Sequence, residues 1–536
     1  MSKFIFITGG VLSSLGKGIA SSSIGTLLSA NGYRVTNIKC DPYINVDPGT
    51  MNPFQHGEVY VTDDGGEMDL DLGHYERFLN HRMEKKNNIT SGSVYNTVIQ
   101  KERAGKYLGQ TVQVIPHITG EIKNRFRKFE QDNYDIVLVE IGGTVGDIES
   151  LPFLEAIREF AIEKGRGETI FIHLTLVPYI KSASELKTKP TQHSVASLRQ
   201  IGISPDMIFC RTEKELPEDL RRKISLFCNT DYNSVIEALD VGNIYEVPLL
   251  YHKKNVDRII LEKLHLPCPG AQMKRWQQVA TIMRTARKKV RVGIIGKYVN
   301  LRDAYKSIDE ALTHGGIKNR CLVEKVFIEA AHVEKNPEAL KNLDGILVPG
   351  GFGMRGIEGK IKAIKFAREN NIPFFGICLG LQCAVIEFAR SVCKLKGANT
   401  TEIEAKAPYP VIDIMEEQKE ITDLGGSMRL GAYPCRLERG SRAAGIYKTR
   451  LIEERHRHRY EFNNAYREIF LKKGMRFTGI FEKSDLAEII ELPGHKWFLA
   501  VQFHPEFKSS PVAPHPLFAS FIGSMLETGI KKRQKK

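Results

Sequence analysis

Long hydrophobic runs are missing from this sequence. No apolar stretch reaches the roughly 18 residues needed to cross a bilayer. Met1–Thr8 carries one lysine and a four-residue apolar run that leads straight into glycines, too short for a secretory leader and suited to a first β-strand. A cytoplasmic protein with no membrane partner is expected. Paired cysteines are scarce too. Nine stand singly along 536 residues with no CxxC spacing, which argues against a zinc framework or a disulfide scaffold and fits a reducing compartment. Dense charge of one sign is equally rare. The 77 basic and 63 acidic residues leave +14, yet the one compact basic run is the tail Lys531-Lys532-Arg533-Gln534-Lys535-Lys536, and such runs are ordinarily solvated. With no nucleic-acid motif, the basic balance suits small polyanions such as nucleotides.

What is present is an ordinary globular mix, 42% hydrophobic and 26% charged, in a chain long enough for two to four domains. Apolar runs rich in β-branched residues alternate with helical stretches: Phe4–Ile7, Ile136–Val139, Ile170–Leu176, Val290–Ile295, Gly345–Val348 and Pro373–Ile377. That alternation predicts an α/β protein whose sheets are mostly parallel and covered by helices on both faces. No repeat of fixed period occurs. The breaker cluster Leu266-Pro-Cys-Pro-Gly270 and the basic Arg284–Lys289 divide the chain into domains 1–266 and 290–536 with a linker at 267–289. Residues 405–426 are expected to form an irregular loop.

The first strand runs into Gly9-Gly10-Val11-Leu12-Ser13-Ser14-Leu15-Gly16-Lys17-Gly18 and then a helix-compatible stretch. A strand, a glycine turn and a helix N-terminus gather backbone N–H groups around an anion. Lys17 would reach the outer phosphates of a nucleotide. The pattern departs from Walker A: five residues separate Gly10 from Gly16, and Gly18 stands where a hydroxyl residue would bind magnesium. A Mg²⁺ ion would then need carboxylates from elsewhere. Glu140 closes a strand, where open α/β sheets place ligands; Asp71 lies in an acidic segment, where a solvated turn carboxylate is the competing reading. Lys187-Thr188-Lys189-Pro190-Thr191-Gln192 joins charge to hydroxyl and amide groups, suited to a triphosphate or a base, unless it is simply a solvated loop.

In the C-terminal half, Gly376-Ile377-Cys378-Leu379-Gly380 follows a strand and precedes an apolar helical run. Glycines two residues either side of Cys378 permit the tight strand-to-helix turn that presents a nucleophile, and a helix N-terminus favours its thiolate. Gln502-Phe-His-Pro-Glu506 supplies a base, His504, and an orienting acid, Glu506. The turn Pro349-Gly-Gly-Phe-Gly353 can aim an N–H at an oxyanion, with Leu379 supplying another. His456 and His458 form a His-x-His without a third ligand nearby, which argues against a metal.

Four blocks make a resemblance specific: Gly9–Gly18, Lys39-Cys-Asp-Pro-Tyr-Ile-Asn-Val-Asp-Pro-Gly-Thr50, Asp69-Leu-Asp-Leu-Gly-His-Tyr-Glu-Arg77 and Glu140-Ile-Gly-Gly-Thr-Val-Gly-Asp-Ile-Glu149. With Lys187–Gln192 they resemble the CTP synthases end to end, and the C-terminal half resembles a class I glutamine amidotransferase. The resemblance implies ATP on Ser14, Leu15, Gly16, Lys17, Gly18 and Ile19, with Asp240 and Val241 on the adenine side and Asp71 and Glu140 on Mg²⁺. It implies UTP on Ser13, on Lys187, Thr188, Lys189, Pro190, Thr191 and Gln192, and on Lys223, with CTP touching Asp147, Ile148 and Glu149. Lys39 would lie near the reacting phosphate. Glutamine would meet Gly351, Leu379, Gly380, Leu381, Gln382, Glu402 and Arg459, with Cys378, His504 and Glu506 catalytic. Activation by GTP, inhibition by CTP, an internal ammonia channel and a homotetramer are implied likewise. The competing readings are another glutamine-dependent amidoligase, of the cobyrinate a,c-diamide synthase type, or a non-catalytic scaffold.

Overall fold

The structure, a computed structural model, describes residues 2–49, 51, 56–297, 301–351, 355–414 and 428–533. The chain forms two compact units: Met1–Pro48 with Asp71–Ala280, and Gly49–Leu70 with Thr281–Lys536.

The first unit is built on a seven-stranded sheet in the order Val235–Leu239, Met207–Thr212, Thr169–Leu176, Lys3–Gly9, Ile136–Ile141, Val35–Asp41, Asn88–Thr90. Every pairing is parallel, so crossover helices must cover the faces. Phe4 and Phe6 project to one face and pack edge-on against Phe160, with Phe126 beside it. These rings are buried and fix the central strand Lys3–Gly9, whose C-terminal end carries the glycine loop.

The second unit has a nine-stranded sheet: Cys321–Glu329, Lys288–Gly296, Gly345–Val348, Phe374–Ile377, Phe498–Val501, Leu486–Glu491, Arg476–Phe481, Arg429–Leu437, Leu451–His458. The first five strands run parallel, and the remaining four continue it antiparallel. The parallel part carries the Cys378 turn. Gly49–Leu70 also belongs to this unit: Arg455 Nε donates to Asp63 Oδ1 at 2.6 Å, and Arg457 Nε to Glu67 Oε1 at 2.8 Å.

The six strands read from the sequence are all present. The expected irregular loop at 405–426 is partly a strand: Tyr409–Ile414 pairs with Ala398–Thr400 and Tyr460–Phe462. Pro410 sits at the second residue of the strand, immediately before a register shift, where a proline is tolerated, and Val411 and Ile412 are fully buried. Residues 415–427, and residues 534–536 of the basic tail, lie outside the described ones. Helix Lys274–Thr285 occupies much of 267–289.

Candidate active sites

In the first unit the glycine loop turns through residues with positive φ, Val11 at 83° and Ser14 at 56°, and enters helix Lys17–Ala30 through Gly16 at 94°. No side chain caps that helix and no acid lies in its first turn, so its end is electrostatically suited to an anion. Lys17 Nζ donates to the Gly143 carbonyl. Burial pulls its pKa down, against the opposing charge of Glu140.

Strand register assembles the charged centre beside this loop. Lys39 pairs directly with Glu140 across adjacent parallel strands. Lys39 Nζ donates to Glu140 Oε1 at 3.2 Å and to Asp71 Oδ2. With Asp41 Oδ1 at 3.8 Å, three carboxylates thus surround one cation, Asp71 and Glu140 in hydrogen-bond contact with it. Tyr75 donates to the other Glu140 oxygen at 2.5 Å. Burial raises the Glu140 pKa, with Lys39 opposing; burial also pushes Asp71 up, but Lys39, His74 and Lys17 together bring it below its ordinary value. Gly18 explains its own departure from Walker A. A Cβ there would lie 2.2 Å from Asp71 Oδ1, so the carboxylate fills the space a serine side chain would need. Among the described residues no group of three or more His, Cys, Asp or Glu has the geometry of a metal cage. Two carboxylates with phosphate oxygens and water satisfy Mg²⁺ without one, so the donor set fits that ion.

Behind the loop, Leu15, Gly16 and Ile19 border a small hollow with Arg211, Leu239 and Tyr251. Arg211 pairs with the exposed Asp240, next to Val241. Across the loop, helix Lys189–Gln200 opens with the expected segment. Thr191 Oγ1 donates to the Leu176 carbonyl at 3.0 Å and Gln192 Nε2 to Thr188 Oγ1 at 3.1 Å, while Lys187 pairs with Glu185. Lys223 lies on the neighbouring helix Glu218–Cys228. Asp147, Ile148 and Glu149 stand exposed after strand Ile136–Ile141, Ile148 at 79%.

In the second unit Cys378 sits between strand Phe374–Ile377 and helix Leu379–Ser391 with φ 51° and ψ −105°, a strained conformation of the kind active sites hold. Its two glycines are sterically required. A Cβ on Gly376 would lie 2.8 Å from the Gly380 backbone, and one on Gly380 would lie 2.1 Å from the Val348 carbonyl oxygen. His504 Nδ1 bonds Glu506 Oε1 at 2.7 Å. Both the imidazole and Cys378 flank Gly350, whose missing Cβ would lie 2.8 Å from His504 Cε1 and 3.4 Å from Cys378 Cβ. Burial pulls the imidazole pKa down, but the Glu506 carboxylate and Cys378 more than compensate and raise it to about 10. The arrangement sets a cysteine beside an imidazole that a carboxylate orients and keeps charged, the layout a cysteine nucleophile needs.

These groups open onto a cavity of about 260 Å³ also lined by Gly351, Lys297, Tyr305 and Arg457. Gly351 has φ 155°; Phe352 and Gly353 of the same turn lie outside the described residues. Leu379 supplies the first N–H of the nucleophile helix. Gly380, Leu381 and Gln382 follow in its first turn, and Gln382 Nε2 donates to the Tyr460 carbonyl at 2.9 Å. Glu402 follows strand Ala398–Thr400, and Arg459 stands between strands Leu451–His458 and Tyr460–Phe462.

Sequence reasoning did not anticipate Tyr75 on Glu140, nor Gln502, whose Nε2 lies 3.8 Å from Cys378 Sγ. Both fall inside blocks already singled out, which was the available signal. It also missed Gly49, Met51 and Glu58 in the wall of the Cys378 cavity; Gly49 falls inside the Lys39–Thr50 block, while residue type and spacing offered no signal for Met51 and Glu58.

A phosphate loop with paired carboxylates in one unit and a Cys-His-Glu site in the other define a glutamine-dependent, nucleotide-using ligase. Residues 3–266 match the family model described as CTP synthase N-terminus, and residues 300–524 match glutamine amidotransferase class-I. The chain is 58% identical over 527 residues to a CTP synthase of Aquifex aeolicus, covering 98% of this chain and 99% of the relative. It is 56% identical over 537 residues to that of Caldanaerobacter subterraneus, covering all of both. The glutaminase domain of the Trypanosoma brucei CTPS, solved with bound acivicin, is 37% identical and covers 44% of this chain and 94% of that one, with a TM-score of 0.42. The chain belongs to the CTP synthase family, ligases that use ATP, UTP and glutamine. Among the described residues no helix is long and apolar enough to cross a membrane.

Proposed function

We propose that the two sites divide one reaction as follows. In the second unit Cys378 attacks the glutamine amide as a thiolate. His504 delivers the proton that lets ammonia leave, and Glu506 holds the ring. The N–H groups of Gly351 and Leu379 receive the oxyanion. Gln382, Glu402 and Arg459 hold the amino acid, alongside Gly380 and Leu381.

In the first unit, Ser14–Ile19 hold the ATP phosphates, and Asp240 and Val241 border the base. UTP lies on Ser13, Lys187–Gln192 and Lys223. The γ-phosphoryl group passes to O4 of UTP; ammonia then attacks C4 and phosphate leaves carrying that oxygen. Lys17 and Lys39 neutralise charge developing on the transferred group. Asp71 and Glu140 would hold Mg²⁺, which, when bound, supplies further neutralisation of the phosphates. The single observation that carries this reading is the convergence of Asp71 and Glu140 on Lys39 beside an uncapped phosphate loop.

CTP as inhibitor shares the triphosphate contacts of UTP and differs at the ring, where Asp147, Ile148 and Glu149 are offered to it. A homotetramer belongs to the same reading; Ile44, 82% exposed, and Leu108, 91% exposed, are apolar side chains that a subunit contact could cover. GTP as activator, transfer of ammonia through an internal channel and a cytoplasmic location complete the reading.

The test is isotopic. UTP labelled with ¹⁸O at position 4, incubated with ATP, Mg²⁺ and ammonia, should deliver its label to inorganic phosphate. Label released to water instead would refute phosphorylation at O4.

A further inference from the structure

A buried histidine lies between the two nucleotide segments of the first unit. His173 belongs to strand Thr169–Leu176 and stands directly opposite Thr8 in the adjacent parallel strand. Its Nδ1 is 2.8 Å from Thr8 Oγ1 and its Nε2 is 2.7 Å from Ser194 Oγ. Thr8 and His173 are fully buried and Ser194 nearly so. Burial, with the charge of Lys17, pulls the imidazole pKa down to about 3, so the ring is neutral. A neutral ring offers one donor and one acceptor, and both are engaged here.

The three residues sit at informative places. Thr8 lies two residues before Gly10, in the strand that feeds the phosphate loop. Ser194 lies one half-turn beyond Gln192, in the helix that opens with the UTP segment. The loop is pressed onto the bridge itself: a Cβ on Gly10 would lie 1.5 Å from Ser194 Oγ and 3.1 Å from His173 Nε2. Two residues along the same strand, Thr175 Oγ1 reaches Thr191 Oγ1 at 3.4 Å, a second, weaker rung between strand and helix. A packed core could have held these elements with apolar side chains. A row of hydrogen bonds instead admits only one register, because any slip leaves buried polar groups unpaired.

We infer that the Thr8–His173–Ser194 bridge fixes the UTP-reading helix against the ATP phosphate loop, making His173 and Ser194 positioning residues that couple occupancy of the two nucleotide sites. This rests on the assignment of ATP and UTP to those segments. Filling the phosphate loop orders Gly10, Gly10 bears on Ser194, and Ser194 orients the first turn of the helix on which UTP depends.

The test is equilibrium binding of UTP to the full-length protein, with and without a non-hydrolysable ATP analogue and Mg²⁺, alongside thermal unfolding. In the wild type the analogue should tighten UTP binding. Ser194→Ala and the isosteric Thr8→Val should each reduce that tightening by roughly two- to tenfold, the span of one neutral buried hydrogen bond. Thr8→Ser, which keeps the hydroxyl, should retain it. Glutamine hydrolysis should be unchanged throughout. If the folded variants show lower unfolding temperatures but wild-type coupling, the bridge is structural only and the inference is overturned. It is overturned equally if the wild type binds both nucleotides with no coupling. A wild type that binds neither nucleotide would instead refute the site assignments themselves.

Discussion

Putting back the hydroxyl that Walker A loops carry should damage this ligase rather than improve it. In Gly18→Ser the new Cβ would lie 2.2 Å from Asp71 Oδ1 and 2.9 Å from its Cγ, both below any tolerable contact. Asp71 is short, and its own Cβ is already 3.6 Å away, so the whole carboxylate must turn aside by about 1 Å. It then leaves Lys39 and the place where a Mg²⁺ ligand is needed. A misplacement of that size costs on the order of 10²-fold in rate, or about 2.7 kcal/mol of barrier. Backbone stability should not fall through helix propensity, since serine is the better helix former. The assay is CTP formation from UTP, ATP and ammonia, followed by the ultraviolet difference between CTP and UTP, with glutamine hydrolysis as an internal control. Gly18→Ala should show the same loss, because the clash is with Cβ and not the hydroxyl. Normal ammonia-dependent turnover in Gly18→Ser would refute the reasoning and detach Asp71 from the reaction.

Gly380→Ala should abolish glutamine hydrolysis while leaving ammonia-dependent synthesis near wild type, since its Cβ meets the Val348 carbonyl oxygen at 2.1 Å; retained hydrolysis, followed as glutamate release, would show that the turn can relax. His504, held protonated to about pH 10 against about 6.5 when unfolded, contributes ion-pair stability that is complete below pH 6.5 and lost as pH rises through 10. Glu506→Gln removes the leading charge that raises it, so the alkaline limb of glutaminase activity should move down by about one pH unit or more; an unmoved limb would contradict the assignment. Glu149→Ala should weaken CTP inhibition about tenfold, the scale of one charge-assisted hydrogen bond, with little change in the UTP half-saturation. Lys187→Ala should weaken both nucleotides, because a phosphate contact is blind to the ring; inhibition curves at several UTP concentrations separate the two, and parallel losses at Glu149 would refute a ring contact.

Much of the cysteine site was legible in the sequence because its constraints are local. Two glycines around Cys378 dictate a turn, and the two-residue spacing of His504 and Glu506 alone brings Nδ1 to the carboxylate. The carboxylate centre was only half legible. Asp71 and Glu140 could be named, but their meeting on Lys39 depends on which strands are neighbours, and strand order is a tertiary fact. Gly18 read as a departure from Walker A, but the packing of Asp71 against it is a tertiary fact. The Thr8–His173–Ser194 bridge was invisible for the same reason, since it joins residues more than 160 positions apart. Gly49–Leu70 lies within the expected first domain, 1–266, and its grouping with the second unit was not legible because Arg455 and Arg457, which hold it, lie far along the chain. Strand Tyr409–Ile414 was hidden by one proline whose effect depends on its place in the ladder.

The most direct measurement compares the two nitrogen sources in Cys378→Ala. CTP formation is followed with UTP, ATP and Mg²⁺, once with glutamine and once with ammonia. If Cys378 serves only to release ammonia and the first unit activates UTP unaided, the glutamine-dependent rate disappears and the ammonia-dependent rate stays close to wild type. Loss of both rates in a folded variant, or survival of the glutamine-dependent one, would contradict the division of labour between the two sites.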